Sequence, residues 1–340
     1  MKKYLVAVSL LVAASLFVVT GCGSSTKSDG GDKKASPKVM KLGIVTNKDR
    51  SLTKGLVKFA ELVEKESGGT IKGEVFSDGV LGGDRQVIEA LQMGTVHATA
   101  VSTGVVAAFA PRFDAFDLPF LFKDKATAYK VFDGPIGQEV LQDLPKAKLI
   151  GFGYWENGFR HLTNNKLEVK TAEDIKGLKI RTLESKVHVE AWKILGANPT
   201  PMSFSQLYTA LEQKVVDGQE NPYGNVVSSK FNEVQKYLTN TGHIYNANVF
   251  MVSKVFYDGL TDKEKEAVKK AALEARDYQR KLNEEEDQQS VKLLTDKGMK
   301  INDLNPGEKE KMLQMMQPLY KSVTAAVGGD LVDRIMAAAK

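Results

Sequence analysis

The sequence predicts an α/β protein of two domains, with one long helix lying across both. Three observations carry this. Of the 340 residues, 319 follow an N-terminal apolar segment, which suits two domains of roughly 150 residues each. Strand-like and helical patterns alternate from Val39 onward, and strand–helix–strand order builds a mostly parallel sheet with right-handed crossovers. No Gly or Pro interrupts the chain between Thr261 and Gly298. Such a run extends about 54 Å at 1.5 Å per residue, longer than a small domain is wide.

Residues 1–21 read as an export signal. Lys2 and Lys3 precede an apolar stretch from Tyr4 to Val18. It is too short for a permanent span but suits a secretory signal. It leads into Val19-Thr20-Gly21-Cys22, which resembles a bacterial lipobox. That implies cleavage before Cys22 and acylation of its thiol and new amine. An ordinary signal with an unmodified thiol, or an uncleaved anchor, is the competing reading. Residues 22–37 are Gly/Ser/Lys-rich and apolar-poor. They are predicted to form a lipidated, flexible tether of about 20 Å.

The folded part is predicted to begin with a strand at residues 39–45. Leu52, Leu56, Phe59, Leu62 and Val63 recur at helical spacing over 52–66, and Gly68-Gly69 ends that helix. A strand follows at 71–76. Asp84 is placed to cap a helix that Gly94 closes, before a short strand at 96–101. Further on, 149–154, 178–181 and 249–253 read as strands. Thr171 caps a turn over 173–175, and Ser185 caps a helix that Gly196 stops. Ser203-Phe204-Ser205-Gln206 and Thr261-Asp262-Lys263-Glu264 both match the capping box. The second opens the long helical run, as one helix or as two meeting at a kink near Asn283. Pro306 opens a final helical region.

Composition excludes several function classes. Hydrophobic residues make up 42% and charged residues 26%, a globular balance. No apolar run of about 18 residues follows Cys22, so no further span is predicted. Net charge is +5. Loss of Lys2 and Lys3 leaves 45 basic against 42 acidic residues, about +3, too small and dispersed for nucleic acid. Cys22 is the only cysteine, so no disulfide, thiolate metal site or cysteine nucleophile is expected. His97, His161, His188 and His243 lack zinc spacing. No nucleophile elbow, Walker loop or dinucleotide fingerprint occurs. Neither an enzyme nor a cofactor or metal is therefore predicted.

The informative stretch runs from Tyr154-Trp155-Glu156-Asn157-Gly158-Phe159-Arg160 to Leu178-Lys179-Ile180-Arg181. Two arginines fall at or near strand ends. A guanidinium there can hold a carboxylate with two parallel hydrogen bonds, which an ammonium cannot. A structural salt bridge is the alternative for each arginine alone. Asn221 precedes Pro222 and is held extended, within reach of a ligand. Phe204 is a ligand-packing aromatic or simply core.

The segments LGGDRQVIEALQMGTV, FDLPFLF, NGFRHLTN, EDIKGLKIRT, LGANPTPMSFSQLYTAL and VVDGQENPYGNV together resemble the dicarboxylate-type solute-binding proteins of tripartite ATP-independent periplasmic (TRAP) transporters. The resemblance covers residues 42–257. It implies a periplasmic-binding-protein-like, type II-like fold with the ligand cleft between two domains. The domains would comprise 38–159 plus 247–286, and 160–246 plus 287–340. It also implies roles for residues. Arg181 would hold the ligand carboxylate, with Arg160 in support. Asn221 would contact the carboxylate, and Phe204 would pack on the ligand. Trp155, Ser102, Asp84 and Asn248 fall at other pocket positions. The implied function is capture of a dicarboxylate or sugar acid, and its delivery to permease subunits by an extracytoplasmic, lipid-anchored monomer. A ligand sensor serving a receptor kinase is the alternative. An extracytoplasmic enzyme is a third reading, disfavoured by the lack of a nucleophile–base pattern.

Overall fold

The computed structural model describes residues 36–340. The export signal, Cys22 and the tether up to residue 35 lie outside the described residues. Nine strands are found among the described residues: β1 (Lys38–Gly43), β2 (Ile71–Phe76), β3 (Ala98–Ser102), β4 (Leu149–Asn164), β5 (Lys179–Thr182), β6 (Asn198–Pro201), β7 (Gly218–Asn221), β8 (Tyr237–Ser253) and β9 (Lys300–Asn302). They join in one sheet of order β2-β1-β3-β8-β4-β7-β5-β6, with β9 beside the start of β8. The outer groups are parallel, as the alternating pattern predicts. The centre is not. There β8 runs antiparallel to β3 and β4, and β4 antiparallel to β7.

The two central strands are much longer than the predicted 149–154 and 249–253. They span 16 and 17 residues and pass from one group of strands to the other. Their sequence hides this for two reasons. Register shifts at Gly151/Gly153, Glu156/Gly158 and Arg160/Leu162 break the two-residue period. Buried polar residues such as Glu156, Arg160, Asn246 and Asn248 also replace the apolar side chains that mark a strand.

The long run is one continuous helix, Asp262–Asp296, about 52 Å at 1.5 Å per residue. It passes through Asn283 unbroken. The Thr261–Glu264 capping box forms, with Thr261 N–H donating to Glu264 Oε2 at 2.8 Å. The helix packs on Ser51–Glu66, on β4 and on Tyr223–Ser228, so it touches elements on either side of the central strands. The Ser203–Gln206 box does not form. Ser203 Oγ lies 3.1 Å from Ser205 Oγ and leaves the helix Phe204–Glu212 without a side-chain cap. No helix among the described residues is long and apolar enough to cross a membrane.

Beneath Ser51–Glu66 and the long helix lies an apolar cluster that includes Met40, Leu56, Phe59, Trp155 and Phe250. Gly55 lets the helices approach: a methyl added there would meet the Trp155 ring at 2.7 Å and Gln279 at 2.9 Å. Overpacking of this kind costs about 1–3 kcal/mol. Gly55→Ala is therefore expected to lower the unfolding free energy by about 1–3 kcal/mol, read as a lower urea midpoint, and an unchanged midpoint would show that the helices can part freely.

Candidate functional site

Strand ends and helix starts converge on a narrow chamber of about 40 Å³ beside the central strands. Residues 44–46 after β1, Asp84 at a helix start and Ala100 and Ser102 of β3 form one wall. Asn157 and Arg160 of β4 and Asn248 of β8 form the back. Arg181 of β5, Asn221 of β7, Phe204 and Asn225 close it from the other side.

The two arginines have different surroundings. Arg160 is 2% exposed and donates from Nε and Nη2 to the Glu220 carboxylate, with Nη1 donating to Asn246 Oδ1 at 3.2 Å. Glu220 is fully buried. Burial alone would raise its carboxyl, but Arg160, His188 and His243 hold it well below the ordinary value. His243 Nε2 lies 3.1 Å from Glu220, and His188 lies 3.6 Å from both Glu220 and Asp117. The positive charge of Arg160 is thus answered inside the protein.

Arg181 is also 2% exposed. Its Nε donates to the Met202 carbonyl at 2.9 Å, Nη2 donates to the same oxygen, and its guanidinium lies 5.9 Å from the centre of the Phe204 ring. Among the described residues no carboxylate stands within 4.0 Å of it. Burial, with Arg160 nearby, lowers its pKa to about 10, against the opposing pull of Glu220 and Asp84. It is still a cation at neutral pH, and Nη1 remains without a protein hydrogen-bond partner among the described residues.

Polar side chains complete the lining. Asn221 Oδ1 accepts from Asn225 Nδ2 at 2.9 Å, and Ser102 Oγ accepts from Asn246 Nδ2 at 2.8 Å. Asn248 donates to the Ala100 carbonyl at 3.0 Å, which fixes its amide orientation and leaves its buried Oδ1 without a donor. A buried acceptor left unmade is costly, so a ligand hydroxyl would be favoured there.

Seven of the eight sequence-predicted ligand residues line the chamber: Arg181, Arg160, Asn221, Phe204, Ser102, Asp84 and Asn248. Trp155 does not. It is 1% exposed and lies flat on Phe250 in the core, with ring centres 5.0 Å apart. Nor is Asp84 a cap. Gly83 occupies that position and donates its N–H to Gln86 Oε1 at 2.7 Å, which leaves the Asp84 carboxyl for the chamber. Sequence reasoning missed Glu220, Asn246, Asn157 and Asn225. Asn246 and Asn248 alternate along β8, a signal legible only once that strand is known to extend so far.

A model of bacterial extracellular solute-binding protein family 7 matches residues 42–326. The chain belongs to that family. Among relatives, it is 35% identical over 290 residues to the 2,3-diketo-L-gulonate-binding periplasmic protein of Escherichia coli, covering 85% of this chain and 87% of that one. It is 34% identical over 309 residues to the C4-dicarboxylate-binding periplasmic protein of Rhodobacter capsulatus, covering 89% and 92%. The crystal structure of the sugar acid binding protein of Advenella mimigardefordensis with galactonate superposes with a TM-score of 0.87 at 40% identity, over 89% of this chain and 98% of that one. A TRAP periplasmic solute-binding protein from Polaromonas, bound to D-erythronate, gives 0.85 at 38% identity over 88% and 98%. The expected resemblance to TRAP solute-binding proteins, with their two-domain α/β fold and ligand cleft, is borne out. These family members are binding proteins, not enzymes.

Burial raises the Asp84 carboxyl from 3.8 to about 7, with Glu184 adding to the rise and Arg181 opposing it. A carboxyl raised on folding favours the folded state below its ordinary value, and that contribution is lost as pH rises through about 7. Asp84→Asn is therefore expected to raise the melting temperature at pH 8.5, with the gain shrinking as pH falls below about 7 and vanishing only near the ordinary carboxyl value of 3.8. A gain independent of pH would refute the shift.

Proposed function

We propose that this family member is the extracytoplasmic solute-binding component of a TRAP transporter. It would capture a hydroxylated carboxylate of the sugar-acid class and pass it to membrane permease subunits. The observation that carries the proposal is Arg181: a buried cation facing a polar chamber, with no carboxylate within 4.0 Å among the described residues. A ligand carboxylate would bond Arg181 and Asn221, with Phe204 packed against the ligand body. Because Glu220 already neutralises Arg160, one carboxylate fits this charge balance better than two. Asn248 Oδ1, Ser102 and Asp84 suit hydroxyl groups. The galactonate and D-erythronate complexes of the relatives agree with this class, while succinate, bound by another relative, is the competing ligand. Closure of the two domains around the ligand would bring these contacts together. The lipobox reading adds that Cys22 is acylated and holds the protein, as a monomer, at the membrane.

A thermal-shift screen against organic acids tests the ligand class. At a hundred times its dissociation constant a ligand stabilises the protein by about 2.7 kcal/mol. Aldonates are expected to raise the midpoint more than succinate, and a flat response to every carboxylate would remove the proposal. Loss of one partner of a buried charge pair costs about 2–5 kcal/mol. Arg181→Ala is accordingly expected to weaken acid binding by roughly 30-fold to several thousand-fold with the fold intact. In contrast, Arg160→Ala strands the Glu220 carboxylate and should lower stability by about 3–5 kcal/mol. If Arg181→Ala binds as the wild type does, the anchor is elsewhere. Finally, Cys22→Ser is expected to release the protein from membranes into the soluble fraction, and continued lipid-dependent retention would contradict the lipobox reading.

A further inference from the structure

One strand separates two cavities. On β4, Arg160 lines the ligand chamber, while its neighbours Phe159 and His161 line a separate cavity of about 460 Å³. Alternate residues of a strand face opposite sides, so the second cavity lies behind the first. Its volume falls in the range of small-molecule sites. No residue is shared between the two linings.

The walls combine flat apolar surface with positive charge. Phe120, Phe122, Phe159 and Tyr223 contribute rings. The Tyr223 ring stacks on His161, with centres 4.1 Å apart and planes 20° from parallel. Lys125 and Asp287, both in the lining, pair with one another at 2.8 Å. Lys123 donates from Nζ to the Lys340 main-chain oxygen at 2.9 Å, which leaves the charge of Lys309. Lys309 has no ion-pair partner among the described residues, and its Nζ stands 3.7 Å from where a Gly242 methyl would sit.

His161 supplies a directed donor. Its Nδ1 accepts from the Gly242 N–H at 3.2 Å, which leaves the proton of the neutral ring on Nε2. Burial, with the charges of His243, Lys309 and Arg160, lowers its pKa to about 3, so the ring stays neutral. Nε2 has no hydrogen-bond partner among the described residues. Backbone geometry gives an independent sign. Phe120 adopts φ 61°, a region unfavourable for a bulky side chain. It is held there by its N–H, which donates to the His243 carbonyl at 2.7 Å. Conformations of this kind concentrate where a side chain must be presented for function, and the Phe120 ring lines the cavity.

We propose that this cavity is a second binding site, taking a small carboxylate with a flat, apolar body such as an arene carboxylate. The ring would lie among Phe120, Phe159 and Tyr223, and the carboxylate would meet Lys309 and the His161 Nε2–H. The site is distinct in class from the hydroxyl-lined chamber and does not depend on what that chamber holds.

Fluorine NMR of 4-fluorobenzoate with the full-length protein tests this, with neutral 4-fluorobenzamide as control. The benzoate is expected to bind at least about tenfold more tightly than the amide. Its affinity should be unchanged in Arg181→Ala. It should fall about tenfold or more in Lys309→Glu and again in Lys123→Glu. Both lysines are exposed, so a folded protein is expected, and far-ultraviolet circular dichroism checks it. Absence of benzoate binding at millimolar concentration overturns the proposal. So does loss of binding in Arg181→Ala, which would place the probe in the ligand chamber. Equal binding of the amide, or affinity indifferent to both lysine reversals, overturns it as well.

Discussion

Two guanidinium groups are withdrawn from water around one narrow chamber, and among the described residues only one of them is paired with a carboxylate. An uncompensated buried charge costs several kcal/mol, so the difference has consequences. Glu220 answers Arg160, and His188, His243 and Asn246 hold that pair in place. Arg181 meets, among the described residues, the Met202 carbonyl oxygen and the face of Phe204. Under the proposed function, an incoming carboxylate would complete a balance that the fold leaves open, and the acceptor of Asn248 and the hydroxyl of Ser102 would select what the rest of the ligand carries.

The frame around this imbalance is polar as well as apolar. β4 and β8 deliver Asn157, Arg160, Asn246 and Asn248 from two strands that lie side by side. Behind them Arg50 is fully buried and donates to Asn225 Oδ1 at 2.7 Å, Asn283 Oδ1 at 2.7 Å and the Asn157 carbonyl at 2.8 Å. Through Asn225 this reaches Asn221, and through Asn283 it reaches the long helix. The lining of the chamber is therefore tied by hydrogen bonds to the element that packs on both sides of the central strands. Buried hydrogen-bond networks of this kind rigidify a site, and asparagine supplies both the donors and the acceptors they need.

Much of this was legible in the chain. Alternating patterns located most helices and the outer strands to within a few residues, because a single buried face leaves a clear period. Seven of the eight ligand residues inferred from the family resemblance line the chamber. The failures share a cause. Trp155 sits in a polar, Gly-containing segment that suggests a pocket, yet its ring is drawn onto Phe250 and under Ser51–Glu66. Asp84 stands one residue past the cap position because Gly83 and Gln86 satisfy the helix start without it. The central strands were read short because bulges and buried polar side chains erase the alternation.

Local order along the chain sets what depends on neighbours: helix starts, turns, the unbroken run after Thr261 and the residue types gathered near β4 and β5. Charge balance is different in kind. Arg160 and Glu220 are 60 positions apart, and Arg181 gives no sign in its own segment that it lacks such a partner. Pairing depends on distances through space and on the exclusion of water, and both arise only when β4, β5, β7 and β8 are laid side by side. Which arginine is neutralised by a carboxylate and which lines the chamber beside a carbonyl was therefore a matter for the assembled sheet, as was the separation of two cavities by a single strand.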